Sequence, residues 1–200
     1  GDIDLVALGD YAYRIFLNNG GGSFIAGPKI PSDYTLRKGR TGDFDGDGKL
    51  DIAAVIGDMY FAGSFVVLWG NGDGTFIFSL EMPMLGRDIK DLAAADLNMD
   101  GRTDFVFSGG GLVAMYGGEG RNFGQPFLID TSFAATVGVH DFNGDAIPDL
   151  YAGGNLYLGN GSGGFAPSSP GLASGENIVR AMDLNEDGIP DLVTGAYSSS

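Results

Sequence analysis

The chain has 200 residues, 44% of them apolar, with 36 glycines, no cysteine and a formal net charge of −15. The apolar share supports a packed core rather than a disordered chain, and the missing cysteines exclude disulfides, thiolate metal sites and cysteine nucleophiles. So acidic a surface excludes nucleic acid as a partner, because phosphate binding needs a basic face.

Strand signals begin at the first residues. The run Ile3-Asp-Leu-Val-Ala-Leu8 leads past Tyr11 and Tyr13 to a glycine turn, Leu17-Asn-Asn-Gly-Gly-Gly-Ser-Phe24. The acidic phrase Asp43-Phe-Asp-Gly-Asp-Gly-Lys-Leu-Asp51 follows and runs into Asp51-Ile-Ala-Ala-Val-Ile56. A lengthened loop with Tyr60 and Phe61 then precedes the turn Trp69-Gly-Asn-Gly-Asp-Gly-Thr-Phe76. The same order returns with Ala93-Ala94-Ala95, the phrase Asp96-Leu-Asn-Met-Asp-Gly-Arg-Thr-Asp104, the run to Phe107, and Tyr116-Gly-Gly-Glu-Gly-Arg-Asn-Phe123. It returns again with Val137-Gly138-Val139, Asp141-Phe-Asn-Gly-Asp-Ala-Ile-Pro-Asp149, the run to Ala152, and Leu158-Gly-Asn-Gly-Ser-Gly-Gly-Phe165. The last copy, Asp183-Leu-Asn-Glu-Asp-Gly-Ile-Pro-Asp191, leads into Leu-Val-Thr194. Asn-Gly and Asp-Gly pairs between apolar runs signal hairpins, since the turn needs positive φ. No stretch offers helical periodicity with caps, so the prediction is an all-β chain.

The four acidic phrases read as calcium loops. Oxygen-bearing side chains stand at positions 1, 3, 5 and 9: Asp43, Asp45, Asp47 and Asp51; Asp96, Asn98, Asp100 and Asp104; Asp141, Asn143, Asp145 and Asp149; Asp183, Asn185, Asp187 and Asp191. A hard cation such as Ca²⁺ takes six to eight oxygens at about 2.3–2.6 Å, and an alternating loop can point that many inward. Four acidic turns in register would repel themselves without a cation. An EF-hand is excluded, because its glutamate position holds Ala54, Phe107, Ala152 and Thr194 and no helices flank the loops. About four Ca²⁺ would bring the net charge to about −7.

The ninth positions Asp51, Asp104, Asp149 and Asp191 recur every 42–53 residues. Gly1-Asp-Ile-Asp4 matches the end of a fifth loop, with Asp4 at position 9 as an orphan ligand and solvated turn acid. Four short strands per repeat of this length are the pattern of a β-propeller blade. Gly42-Asp-Phe-Asp-Gly-Asp-Gly-Lys-Leu-Asp-Ile52, with Leu68-Trp-Gly-Asn-Gly-Asp-Gly-Thr-Phe76, resembles a VCBS or FG-GAP repeat, the unit of integrin-α-like propellers. The resemblance implies that each loop joins a blade's innermost strand to its second on one face, with ligand contacts usually on the other. It also implies a ligand at position 7, the backbone carbonyl of Lys49, Arg102, Ile147 or Ile189. The third loop departs from the pattern with Ala146 where the others have Gly48, Gly101 and Gly188, which marks 141–149 as the expected weakest site. The expected repeats are 1–34 (partial), 35–87, 88–133, 134–176 and 177–200 (partial), three whole blades within a larger ring of about seven blades, or a fragment that assembles with copies of itself.

Other residues weigh less. His140, the only histidine, lacks a recognisable serine motif or second acid, so it reads as a packed or rim residue and the chain leans away from being an enzyme. Trp69 reads as core, and Phe24, Phe76, Phe123 and Phe165 as core anchors. Tyr60, Phe61, Tyr11 and Tyr13 are loop-contact candidates. Asn160-Gly-Ser162 is a glycosylation sequon in a eukaryotic secretory setting only. No segment is apolar for the roughly 18 residues of a membrane span. The sequence reading is a secreted or cell-surface propeller whose calcium is structural, binding an extracellular protein or glycan. The alternatives are the non-catalytic propeller portion of a secreted polysaccharide-active enzyme, and a structural unit of a surface array or filament.

Overall fold

A computed structural model of the chain describes residues 4–57, 63–79, 82–83, 88–169 and 176–196. Among these residues every regular element is a β-strand and every named pairing is antiparallel. No helix there is long and apolar enough to cross a membrane. Tyr60 and Phe61 lie outside the described residues. The chain divides into two compact units, Gly1–Gly42 with Lys49–Gly86, and Asp43–Gly48 with Arg87–Ser200.

In the first unit, strands β1 (Leu5–Gly9), β2 (Ala12–Asn18) and β3 (Phe24–Pro31) form one sheet in that order. A second sheet runs β4 (Leu36–Gly42), β5 (Asp51–Ile56), β6 (Ser64–Gly70) and β7 (Phe76–Phe78), with β8 (Met82–Pro83) also paired to β6. β5 and β6 are buried along their whole length, the outcome expected of short unbroken apolar runs covered on both faces. Alternation assigns the faces: Ile52, Ala54 and Ile56 pack with Val66 and Leu68 against Tyr13, Val6, Leu8 and Ile30 of the first sheet. Tyr13 is thus a core residue, 5% exposed, and not the loop contact its position suggested, because it lies on the buried face of β2; Tyr11 falls in the turn before the strand, with a φ of 52°, and is 59% exposed. Trp69 is buried, as expected.

The second unit contains two four-stranded sheets. β9 (Ile89–Ala95), β10 (Asp104–Gly109), β11 (Leu112–Met115) and β12 (Phe127–Asp130) form the first. β13 (Val137–His140), β14 (Asp149–Ala152), β15 (Asn155–Gly159) and β16 (Phe165–Ser168) form the second, and β17 (Glu176–Met182) pairs with β18 (Asp191–Ala196). Each first strand meets the next one, β13 touching both β9 and β17. Val106, Leu112 and Ala114 of one sheet share a core with Leu150, Ala152 and Tyr157 of the next. On the opposite face of β14, Tyr151 packs with Leu156 and Ala181. The sheets of this unit therefore stack face to face, and β14 and β15 each serve two cores.

The recurring phenylalanines divide. Phe76 meets Tyr13 edge-on at 6.2 Å, Phe123 lies 5.5 Å from Phe105, and Phe165 packs against the core shared by the two sheets. Phe24 is 43% exposed and is no anchor. The sheet that Phe76 presses on belongs to the preceding repeat.

The two sheets of the second unit are also tied by a polar contact, the Tyr157 hydroxyl donating to Asp130 Oδ2 at 2.9 Å. Burial first, and then this bond to a carboxylate, push the phenol up to about 12. The backbone N–H of Ser132 is the main reason Asp130 sits below the usual carboxylate range. A raised phenol stabilises the fold fully below its unfolded value of about 10 and loses that contribution as pH rises toward 12. The depressed Asp130 stabilises above the unfolded carboxylate pKa and loses its contribution as pH falls. Tyr157→Phe is therefore expected to remove the last-titrating phenolate absorbance and to flatten the alkaline loss of stability between about pH 10 and 12. Overlaid titration curves for the two proteins would contradict this.

Candidate metal centres

The four acidic loops sit where the strand order places them, between β4 and β5, β9 and β10, β13 and β14, and β17 and β18. Three of them share one internal wiring. The position 1 aspartate takes the backbone N–H of position 5 on Oδ1 and that of position 6 on Oδ2, with Gly101, Ala146 and Gly188 each donating at 2.8 Å. The position 3 asparagine accepts the N–H of position 5 and donates its Nδ2 to the carboxylate there, at 3.2, 2.9 and 3.0 Å. The position 5 carboxylate in turn accepts the N–H of Arg102, Ile147 or Ile189. Each loop is thus pre-shaped by its own acids, which keep lone pairs for a further partner.

The first loop differs at position 3, where Asp45 replaces asparagine. Its Asp43 still receives the N–H groups of Gly46 and Gly48. Oxygens of Asp43, Asp45 and Asp51 lie within 4.8 Å of one another. That convergence of hard oxygen donors suits one Ca²⁺ and offers nothing to a softer ion.

Position 9 has a second task that the motif alone does not disclose. Asp51, Asp104 and Asp149 are all 0% exposed. Asp104 accepts the N–H of Leu97 at 2.9 Å and that of Gly117 at 2.8 Å; Asp149 accepts Phe142 at 2.9 Å and Gly159 at 2.8 Å. Asp51 accepts Gly70 at 2.7 Å, and the more exposed Asp191 accepts Leu184 at 3.0 Å. Each carboxylate therefore ties its loop, its third strand, or both to the second strand. The glycine that donates has no alternative: a Cβ on Gly70, Gly117 or Gly159 would fall 2.0, 2.3 or 2.2 Å from the carbonyl oxygen of Leu50, Thr103 or Pro148. Asp4 makes the same latch to the Asn18 N–H at 2.8 Å, so it is wired as a position 9 residue rather than left as a free turn acid. Burial holds Asp104 above the usual carboxylate range, against the two N–H bonds that pull it down. A cation alongside would relieve that cost.

Backbone strain revises the ranking of the loops. Position 6 is left-handed, as expected, with φ of 82° at Gly48, 85° at Gly101, 65° at Ala146 and 87° at Gly188. Gly144 does not relieve Ala146, because position 4 is left-handed in every loop: 79° at Gly46, 59° at Met99, 77° at Gly144 and 62° at Glu186. Loops 96–104, 141–149 and 183–191 thus each contain one strained residue, and only 43–51 has glycine at both places. Strain does not single out 141–149. A Cβ at Gly48 would touch nothing within 4 Å, so conformation alone is at stake. Met99→Gly, Ala146→Gly and Glu186→Gly should each raise unfolding free energy by about 1 kcal/mol, with Gly48→Ala losing a similar amount. Denaturant titration measures this, and an unchanged midpoint in all three glycine variants would refute it.

The remaining candidates are quiet. His140 ends β13 with its ring edge-on to Phe142 at 5.7 Å, and desolvation lowers its pKa. Asn160 spends its side-chain oxygen on the N–H groups of Ser162 and Gly164, closing its own turn.

The sequence profile described as FG-GAP-like repeat matches residues 1–54, 43–107 and 141–194. No curated protein matches the chain. Among solved structures, the crystal structure of the V. cholerae biofilm matrix protein Bap1 is similar with a TM-score of 0.58 and 18% identity. The match covers 96% of this chain and 30% of that one, so the chain spans about a third of that protein.

Proposed function

Since the chain belongs to the FG-GAP-like repeat family, we propose that it is a calcium-stabilised β-propeller segment acting outside the cell as an adhesion or matrix-binding module. The repeats would be blades over 1–34, 35–87, 88–133, 134–176 and 177–200, with the first and last partial. Face-to-face stacking of successive sheets, and the meeting of β9, β13 and β17, support that arrangement. Each loop would hold one Ca²⁺ through positions 1, 3, 5 and 9 and the carbonyl of Lys49, Arg102, Ile147 or Ile189.

The observation that carries the reading is the buried position 9 aspartate. It belongs at once to the oxygen set of the loop and to the hydrogen bonds inside the sheet. Calcium bound there supplies positive charge to a carboxylate that burial disfavours, and so stabilises the blade rather than performing chemistry. Recognition then falls to other loops, with an extracellular protein or glycan as partner. Likeness to a biofilm matrix protein supports a matrix setting, and it equally suits a unit of a surface assembly.

Isothermal calorimetry in calcium against a panel of matrix proteins and glycans, repeated in chelator, tests the assignment. The expected result is binding in calcium, lost in chelator together with the fold. Turnover of a polysaccharide by this chain would overturn it.

A further inference from the structure

Arg121 sits in the turn between β11 and β12, and it reaches an acidic loop of another repeat. Its Nε donates to Asp45 Oδ2 at 2.8 Å, and its Nη2 stands 4.0 Å from Asp47 Oδ2. The Asp45 side chain is only 6% exposed, so water screens the pair poorly.

Two departures from the repeat meet at this contact. Asp45 is the one position 3 residue that is not asparagine; Asn98, Asn143 and Asn185 stand in the other loops. Those asparagines each donate Nδ2 to the position 5 carboxylate, and an aspartate cannot. Arg121 likewise occupies a turn position that is Gly22, Gly74 and Gly163 in the other repeats. The loop with a surplus negative charge therefore faces the one turn with a cation.

Resting on the calcium reading of the loops, we infer that Arg121 is a built-in counter-cation for loop 43–51. It replaces the missing amide N–H, positions Asp45 when calcium is absent, and competes with Ca²⁺ for the same carboxylate. The consequence has a definite sign. Arg121 stabilises the metal-free protein and weakens calcium binding at this loop, so that its four carboxylates do not outbid the other loops. Even with the dielectric of bulk water, removing one positive charge from beside a divalent ion corresponds to about a tenfold rise in affinity.

The test uses the full chain and Ca²⁺ itself, with Arg121→Gln, Asp45→Asn and the double variant. Calcium titration is followed at the Gly48 amide, which reports loop 43–51, and at the Gly101 amide, which reports loop 96–104. Arg121→Gln should tighten binding about tenfold at Gly48 with no change at Gly101. In chelator it should lower the melting temperature, and Asp45→Asn in the same chain should recover part of that loss. A double-mutant cycle should show larger coupling in chelator than in saturating calcium. Unchanged or weaker calcium binding at Gly48 in Arg121→Gln, with wild-type binding intact, would overturn the inference alone. Absence of calcium binding by the wild-type chain would overturn the reading beneath it, and the inference with it.

Discussion

Chelation is expected to lower the melting temperature by about 20 °C or more, the largest change any single treatment should produce. Ligand binding to the folded state alone stabilises by RT ln(1 + [L]/Kd), about 2.7 kcal/mol per site at a hundredfold excess over Kd. Four loops acting together would then contribute about 11 kcal/mol, comparable to the whole stability of an ordinary domain. The structure makes that scale reasonable, because Asp51, Asp104 and Asp149 at position 9 lie at 0% exposure inside the sheets and not on a detachable rim. Scanning calorimetry in millimolar CaCl₂ and in EGTA measures it directly. Magnesium should restore little, since it demands tighter octahedral geometry and keeps its water. Coincident melting curves with and without EGTA would end the calcium assignment.

Asp104→Ala should cost about 3–5 kcal/mol even in EGTA. Truncation removes the acceptor for two N–H groups, Leu97 and Gly117, in a place water does not reach. Each orphaned buried donor costs about 1–3 kcal/mol, and the small cavity adds to it. Asp104→Asn retains the shape and one acceptor, so it should lose less in EGTA and still abolish the calcium response of its loop. Gly117→Ala should be comparably damaging for a different reason, the 2.3 Å approach of its Cβ to the Thr103 carbonyl oxygen. The chelator condition separates two roles. If Asp104→Ala destabilises only in calcium, the residue is a metal ligand and the latch is unimportant. Loss of stability in both conditions shows that the carboxylate holds loop and turn together whether or not a cation is bound.

Much of this was legible in the chain. The runs at Asp51–Ile56 and Asp149–Ala152 are strands with the boundaries read from sequence, because their apolar runs are bounded by an acidic loop on one side and glycine on the other. The repeat order placed each loop between a sheet's first and second strand. Less visible was the inward turn of Tyr13, which depends on a neighbouring sheet, and the 43% exposure of Phe24 beside its buried or half-buried counterparts. The left-handed position 4 could have been suspected from Gly46 and Gly144, but Met99 and Glu186 hid it, since neither residue advertises positive φ. No sequence pattern pairs Arg121 with Asp45 across 76 residues. Only two exceptions to a repeat, seen side by side, mark them.

By itself the sequence determined the strand period, the all-β class, the four oxygen-rich loops and the positions within them, because those rest on local chemistry. Alternation, turn glycines and clustered carboxylates act over a few residues. Tertiary structure alone decided which face of each strand is core, that position 9 is a buried latch as well as a ligand candidate, and which loop carries an internal cation. Those properties come from the stacking of one sheet on the next, which buries a carboxylate beside a distant glycine N–H and brings a turn of one repeat onto the loop of another.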